Sequence, residues 1–371
     1  MKFSQLAFTA FLSSMIFASC SDDLEQPIRY IPLGNYDSGA LVLNQGGFGH
    51  GDASISYISS DFGTIENDIF SAVNPDIILG DTAQDIGFYN QLAYIVVNVS
   101  NKIEIVNRYT MEHLATIDTG LSNPRYITFS NGKGYVTNWG DGTNPNDDYV
   151  AVINLTSNTV SGSIPVIEGP EKIIENAGKL YVAQTGGFGF GNALSVINTA
   201  DNTVSEITVG DVPNSMQVRD GFLWVSCSGK PSYSGLETAG KLVKVNLANN
   251  TIANTFSYND AVKHLSNLTI EGLFAYYTVN RMDGLVASSD VYKFDISVNS
   301  LPVVPVFTTP YEIYSFGIKQ NHIYVGDAVD YQNNGKVKIY SLGIASDQSA
   351  IGTLENTYIV GVIPAGFYFN F

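Results

Sequence analysis

The sequence predicts an all-β chain: a seven-bladed β-propeller with four-stranded antiparallel blades, its ring closed by the C-terminal strand completing blade one. Three observations carry this. The stretch Arg125–Val166 divides into four short segments, Arg125–Ser130, Lys133–Asn138, Tyr149–Leu155 and Thr159–Val166, each of strand length and rich in Val, Ile, Tyr and Thr. Asn131-Gly132 joins the first two as a two-residue hairpin turn, because both residues tolerate positive φ. Thr156-Ser157-Asn158 supplies polar turn chemistry between the last two. The unit then recurs, and the first copy lacks a strand that the far end of the chain supplies.

The chain opens on Met1-Lys2, a minimal positive n-region, and Leu6–Ala18, an apolar run too short to span a bilayer. It ends in Phe17-Ala18-Ser19-Cys20, which resembles a bacterial lipobox with Phe17 in place of the usual leucine. That resemblance implies removal of residues 1–19 and lipidation of Cys20; the alternative is an ordinary signal peptide with an incidental cysteine. The acidic run Ser21-Asp22-Asp23-Leu24-Glu25 resembles the signal by which Bacteroidetes export lipoproteins to the outer face of the outer membrane. Residues 20–38 then read as an acidic tether and residues 39–371 as the propeller. The second cysteine, Cys227 in Leu223-Trp224-Val225-Ser226-Cys227, reads as a small core residue rather than a reactive thiol.

Blade one shows only three strands, Ala40–Asn44, Ala53–Ser59 and Thr64–Phe70. Its innermost strand is expected from Gly366–Phe371, which follows Pro364 and would remove an exposed edge at the seam. The other blades are expected over Gln84–Thr119, Arg125–Val166, Lys172–Val209, Ser215–Phe256, Asn267–Phe307 and Tyr314–Ile363, with no helix anywhere. An aromatic marks the second strand each time, at Tyr94, Tyr135, Tyr181, Trp224, Tyr277 and Tyr324. The spacing is roughly 40–50 residues, with one longer interval, as four-stranded propeller blades require. Eleven residues before that aromatic stand Ala83, Pro124, Pro170 and Pro213. Proline there sets φ where an innermost strand begins and its missing N–H costs little.

The four letters Tyr135-Val136-Thr137-Asn138, with the repeat built around them, resemble the YncE-like (YVTN-repeat) propellers over nearly the whole mature chain. With the lipobox, the acidic run and the Asn-Gln-Gly-Gly-Phe-Gly opening at Asn44, the chain resembles the BtuG-like surface lipoproteins of Bacteroidetes. That resemblance implies a cell-surface protein of the outer membrane, facing the exterior, that captures cobalamin or a related corrinoid for a TonB-dependent transporter. It implies a monomer apart from that partner.

Ligands of propellers bind at one mouth of the central channel, and the loops joining strands two and three are long here. They are 45–52, 139–148, 185–192, 228–240, 280–290 and 327–335. They offer Phe48, His50, Trp139, Phe188, Phe190, Asn192, Tyr233, Arg281, Asp327 and Tyr331, with Asn98 beside them. In the Gly-Gly-Phe-Gly runs, Phe48 and Phe188 are either inward structural plugs or a ligand platform. No helix follows those runs and no lysine is placed for phosphate, so they are not phosphate loops. The loops leading into the innermost strands add a second ring, one residue past the proline register: Gln84, Arg125, Glu171, Asn214, Asn267 and Tyr314, with Ala365 in the closing blade. Such a ring either holds channel water or reads a ligand. Aromatic surface from Trp139, Phe188, Phe190 and Tyr233, with hydrogen bonds from Asn98, Asn192, Asn214 and Arg125, suits a flat corrin fringed with amides.

With 18 basic and 35 acidic residues the formal charge is −17, which repels nucleic-acid backbones and favours neutral or cationic ligands. No catalytic residue, metal or cofactor is expected. His50, His113, His264 and His322 fall in different units without metal spacing, and His113 and His322 read as solvated. No Gly-x-Ser-x-Gly elbow is present. Asp141, Asn144, Asn146, Asp147 and Asp148 lack the alternation of a calcium loop and read as a solvated loop. The competing readings are a glycan- or peptide-binding propeller and, third, a propeller lyase or lactonase.

Overall fold

A computed structural model describes residues 32–283, 286–344 and 350–370. Seven four-stranded antiparallel sheets stand around a central channel, six of them with their first strand innermost and blade one with the chain's last strand there. The inner strands are Ala83–Tyr89, Pro124–Ser130, Pro170–Asn176, Pro213–Arg219, His264–Glu271, Ser315–Lys319 and Pro364–Asn370. The last of these pairs antiparallel with Gly39–Asn44, register Leu41 to Tyr368, and so completes blade one from the other end of the chain. Phe371 and Cys20 lie outside the described residues.

Second strands read as nearly continuous apolar runs because both faces of each blade are covered. Successive side chains point to opposite faces of a strand. In Leu92–Val97, Tyr94 and Val96 pack toward blade three, while Ile95 and Val97 pack toward blade one. The same division repeats around the ring and produces seven apolar clusters, one for each junction between blades. The six aromatics of the repeat signature are at most 3% exposed and fill these junctions. Each contributes about 1.5–3 kcal/mol by leaving water, which is what spaces the blades.

Blade one departs from the expected outer strand. Only Ile65–Glu66 pairs there, and Ile69–Val73 forms a short α-helix that buries Ile69 and Phe70 under the sheet. Two aromatic-to-aliphatic anchors one residue apart cannot share a face in a strand, whereas a helical turn can direct both inward. Pro32–Ser38, at the end of the expected tether, is also described. Tyr36 is buried, and its N–H donates to the Tyr109 carbonyl at 2.9 Å. In blade seven the outer hairpin lengthens into Asn334–Ile344 and Ala350–Val362. No helix among the described residues is long and apolar enough to cross a membrane.

Candidate functional site

The inner strands begin on a backbone kink. The residue before the proline register has positive φ in five blades: Thr82 (61°), Asn123 (52°), Gly169 (70°), Val212 (54°) and Ile363 (54°). For β-branched Val212 and Ile363 this conformation is strained. Two residues past that position, in all seven blades, Gln84, Arg125, Glu171, Asn214, Asn267, Tyr314 and Ala365 line one cavity of about 670 Å³.

Their chemistry is uneven around the ring. Arg125 donates twice to Glu171 Oε1, from Nε at 3.0 Å and from a terminal nitrogen at 2.7 Å. Its guanidinium lies 4.5 Å from the ring centre of Trp139, whose Nε1–H donates to the Pro170 carbonyl. Burial works against the Arg125 charge, but Glu171 and the surrounding tyrosines hold its pKa above the usual value. Opposite, Asn214 donates to the Leu265 carbonyl and Asn267 to Thr278 Oγ1, so these amides are partly committed to the wall. Tyr314 donates to Gln45 Oε1 at 2.6 Å, and burial pushes its hydroxyl up to about 12.

A second layer, one residue further along each strand, was not singled out from the sequence. It holds Asp85, Tyr126, Lys172, Ser215, Leu268, Ser315 and Gly366, all on the cavity wall. Charge is confined to blades two to four. Asp85 is 9% exposed and accepts from the Ile127 N–H at 3.0 Å and from the Tyr368 hydroxyl at 2.8 Å. Burial pushes its carboxyl above the usual range, opposed by Lys172 and by both hydrogen bonds. Lys172 Nζ sits 3.8 Å from the ring centre of Tyr126. Counting two residues past the proline, instead of one, was the signal that would have found this layer.

Around the rim, Phe48 is 81%, Phe188 79% and Tyr233 84% exposed, so neither phenylalanine is an inward plug. The glycines explain why. Gly186 has φ +90°, and a Cβ there would lie 2.3 Å from the Gly191 nitrogen; one on Gly169 would lie 1.9 Å from the Gly187 nitrogen. The loop folds tightly on itself and against the incoming strand, which leaves Phe188 projecting. Phe188 meets Trp139 edge-on at 5.9 Å, and Phe190 meets Tyr233 at 6.1 Å. Tyr331 stands over Tyr314 at 5.9 Å, and His50 and Asn192 are exposed.

Other singled-out residues are held by the framework. Asn98, expected to offer its amide to a ligand, is buried and donates to the Pro124 carbonyl at 3.0 Å. Asp327 pairs with Lys338 at 2.8 Å and Arg281 with Asp290 at 2.9 Å, away from the cavity lining. His113, expected in solvent, is half-buried against Glu104 at 2.9 Å, and His322 packs edge-on against Phe62 and lies 3.4 Å from Glu355. The loop 141–148 is not fully solvated either. Asp148 is buried, accepts from the Gly169 N–H, and burial pushes its carboxyl up to about 6 with Asp147 and Glu168 adding to the effect. Among the described residues no group of acids, histidines and cysteines is arranged to hold a metal ion. Cys227 is buried, and its thiol is pushed up to about 12.

Residues 38–351 match the family described as Domain of unknown function (DUF5074). No curated protein matches by sequence. Among solved structures, a candidate 6-phosphogluconolactonase from Bacteroides fragilis superposes with TM-score 0.60 at 12% identity, covering 91% of this chain and 99% of that one. A functionally unknown protein from Desulfotomaculum acetoxidans gives 0.59 at 13% identity, covering 90% and 98%. Hydrazine synthase from Kuenenia stuttgartiensis gives 0.58 at 14% identity, covering 74% and 85%. At such identities the likeness is one of fold.

Proposed function

The chain belongs to the DUF5074 family, and from that premise we propose that it captures a small organic molecule at the mouth of the ring and passes it on unchanged. The observation that carries this is the lining of the cavity. Seven side chains of six kinds, one from each blade, face about 670 Å³, within the range of small-molecule pockets. Three rim aromatics at about 80% exposure stand above it, where a ligand broader than the cavity would rest.

A corrinoid is the first ligand to test: it is broad and flat, and its neutral amides suit a rim rich in aromatics and glycine. In this reading Cys20 carries the lipid that holds the protein on the outer face of the outer membrane, and a TonB-dependent transporter receives the ligand. Isothermal calorimetry with cyanocobalamin is expected to give saturable heat, lost in Phe188→Ala. No heat at tens of micromolar ligand removes the corrinoid. Binding on a glycan array instead would replace it with a sugar.

A further inference from the structure

One cation lining the cavity makes no hydrogen bond and no ion pair at contact distance among the described residues. Arg125 is paired with Glu171, Lys338 with Asp327 and Arg281 with Asp290, while Glu312, also on the cavity wall, accepts from Asn280 and Tyr331. Lys172 lines the cavity with its ammonium over the Tyr126 ring, and among the described residues it makes no hydrogen bond or ion pair. Asp85 is its neighbouring carboxylate and attracts it, but no hydrogen bond joins the two, and the Asp85 oxygens accept from Ile127 and Tyr368 instead.

Two uncommitted polar groups of the cavity wall, one of them under the ammonium, are donors. Tyr126 Oη accepts from Gln84 Nε2 at 2.8 Å, which leaves its own proton to give away. Gln217 Oε1 is held by the Ile270 N–H at 2.8 Å, which fixes the amide orientation and leaves its two N–H groups free. Both residues line the same cavity. An ammonium, a hydroxyl and an amide NH₂, all with protons to offer, are the complement of an anion.

We propose that Lys172 and Tyr126 form an anion seat in the channel wall, with Gln217 a further donor of the same lining, that takes the carboxylate or phosphate group of the ligand. This rests on the reading that the mouth binds a small molecule. The chain's charge of −17 repels polyanions, so the ligand carries one such group on an otherwise neutral body.

Reductive methylation of the intact protein with isotope-labelled formaldehyde keeps every lysine charged, and the Lys172 resonance is the one missing from Lys172→Arg. Sodium acetate and, separately, inorganic phosphate are expected to move that resonance along a saturating curve at millimolar concentration. Sodium chloride at matched ionic strength is expected to leave it in place. Tyr126→Phe keeps the ring under the ammonium and removes the hydroxyl; it should weaken the curve by roughly three- to tenfold, with an unchanged melting profile. The steeper of the two curves assigns carboxylate or phosphate. A resonance unmoved by both anions, or moved equally by chloride, overturns the proposal. Should acetate act while cyanocobalamin gives no heat, the seat stands and only the corrinoid is removed. Should cyanocobalamin bind while both anions leave the resonance alone, the seat alone is removed.

Discussion

The Tyr368 hydroxyl donates to Asp85 Oδ1 at 2.8 Å, across 283 residues of sequence. The other oxygen of Asp85 accepts from the Ile127 N–H. One carboxylate therefore joins the inner strands of blades one, two and three at the seam where the ring closes. Tyr368→Phe leaves Oδ1 buried without a donor. It should lower unfolding free energy by about 1–3 kcal/mol in urea titrations, against little change for the same substitution at exposed Tyr233. Equal effects at the two positions would remove the seam from the account. Deleting residues 364–371 should abolish soluble protein altogether, because it re-exposes the edge of Gly39–Asn44.

Glu171 neutralises a largely buried guanidinium, with side-chain exposures of 17% for Arg125 and 12% for Glu171. Glu171→Ala should cost about 2–4 kcal/mol, because it leaves the arginine charged and unpaired. Glu171→Gln keeps an acceptor and should cost less than half of that. Thermal unfolding of the two variants side by side decides it; identical melting would mean that water already solvates Arg125.

Asp148 titrates at about 6 in the fold, above its ordinary value of 3.8. A raised carboxyl means that the folded state holds the proton more tightly. Its contribution is therefore fully present below about pH 4 and is lost as pH rises through 6. Asp148→Asn can still accept from the Gly169 N–H and should remove this dependence. Between pH 4.5 and 7.5 the wild type should lose about 1 kcal/mol relative to the variant, a figure reduced for screening at the loop. Parallel stability curves would refute it.

Val212 holds φ at +54°, where Asn123 occupies the equivalent position of blade three. Its backbone is already used, the N–H toward Gly191 and the carbonyl by Ser228. Val212→Asn should thus relieve strain without breaking a bond, and stabilise by about 1 kcal/mol. A lower denaturation midpoint would show that the valine side chain contributes more packing than its conformation costs.

The rim aromatics separate binding from folding. Phe48→Ala, Phe188→Ala and Tyr233→Ala should each change stability by less than about 0.5 kcal/mol, since the side chains are mostly in water. Each that contacts the ligand should weaken binding by roughly tenfold or more. Calorimetry on the three variants shows which part of the rim the ligand crosses.

Much of the fold was legible because its signals are local. Asn131-Gly132 marks a turn, the Tyr135 repeat marks a buried second strand, and the missing strand of blade one has one candidate at the C-terminus. The helix Ile69–Val73 was not legible, since five residues carry too little periodicity to separate helix from strand. The first ring of cavity residues could be found by counting from a proline, and Lys172 and Asp85 would have come from one more count.

What each of those residues is free to do was decided elsewhere. Arg125 and Lys172 look alike as cations one blade apart, yet one is paired with Glu171 and the other makes no ion pair among the described residues and lies over the Tyr126 ring. Asp85 looks like a free acid until Ile127 and Tyr368 arrive from two other blades. Periodicity along a strand reports which face a side chain takes. Its partner is set by strands of neighbouring blades, and for Asp85 and Tyr368 that meeting exists only once the ring is closed.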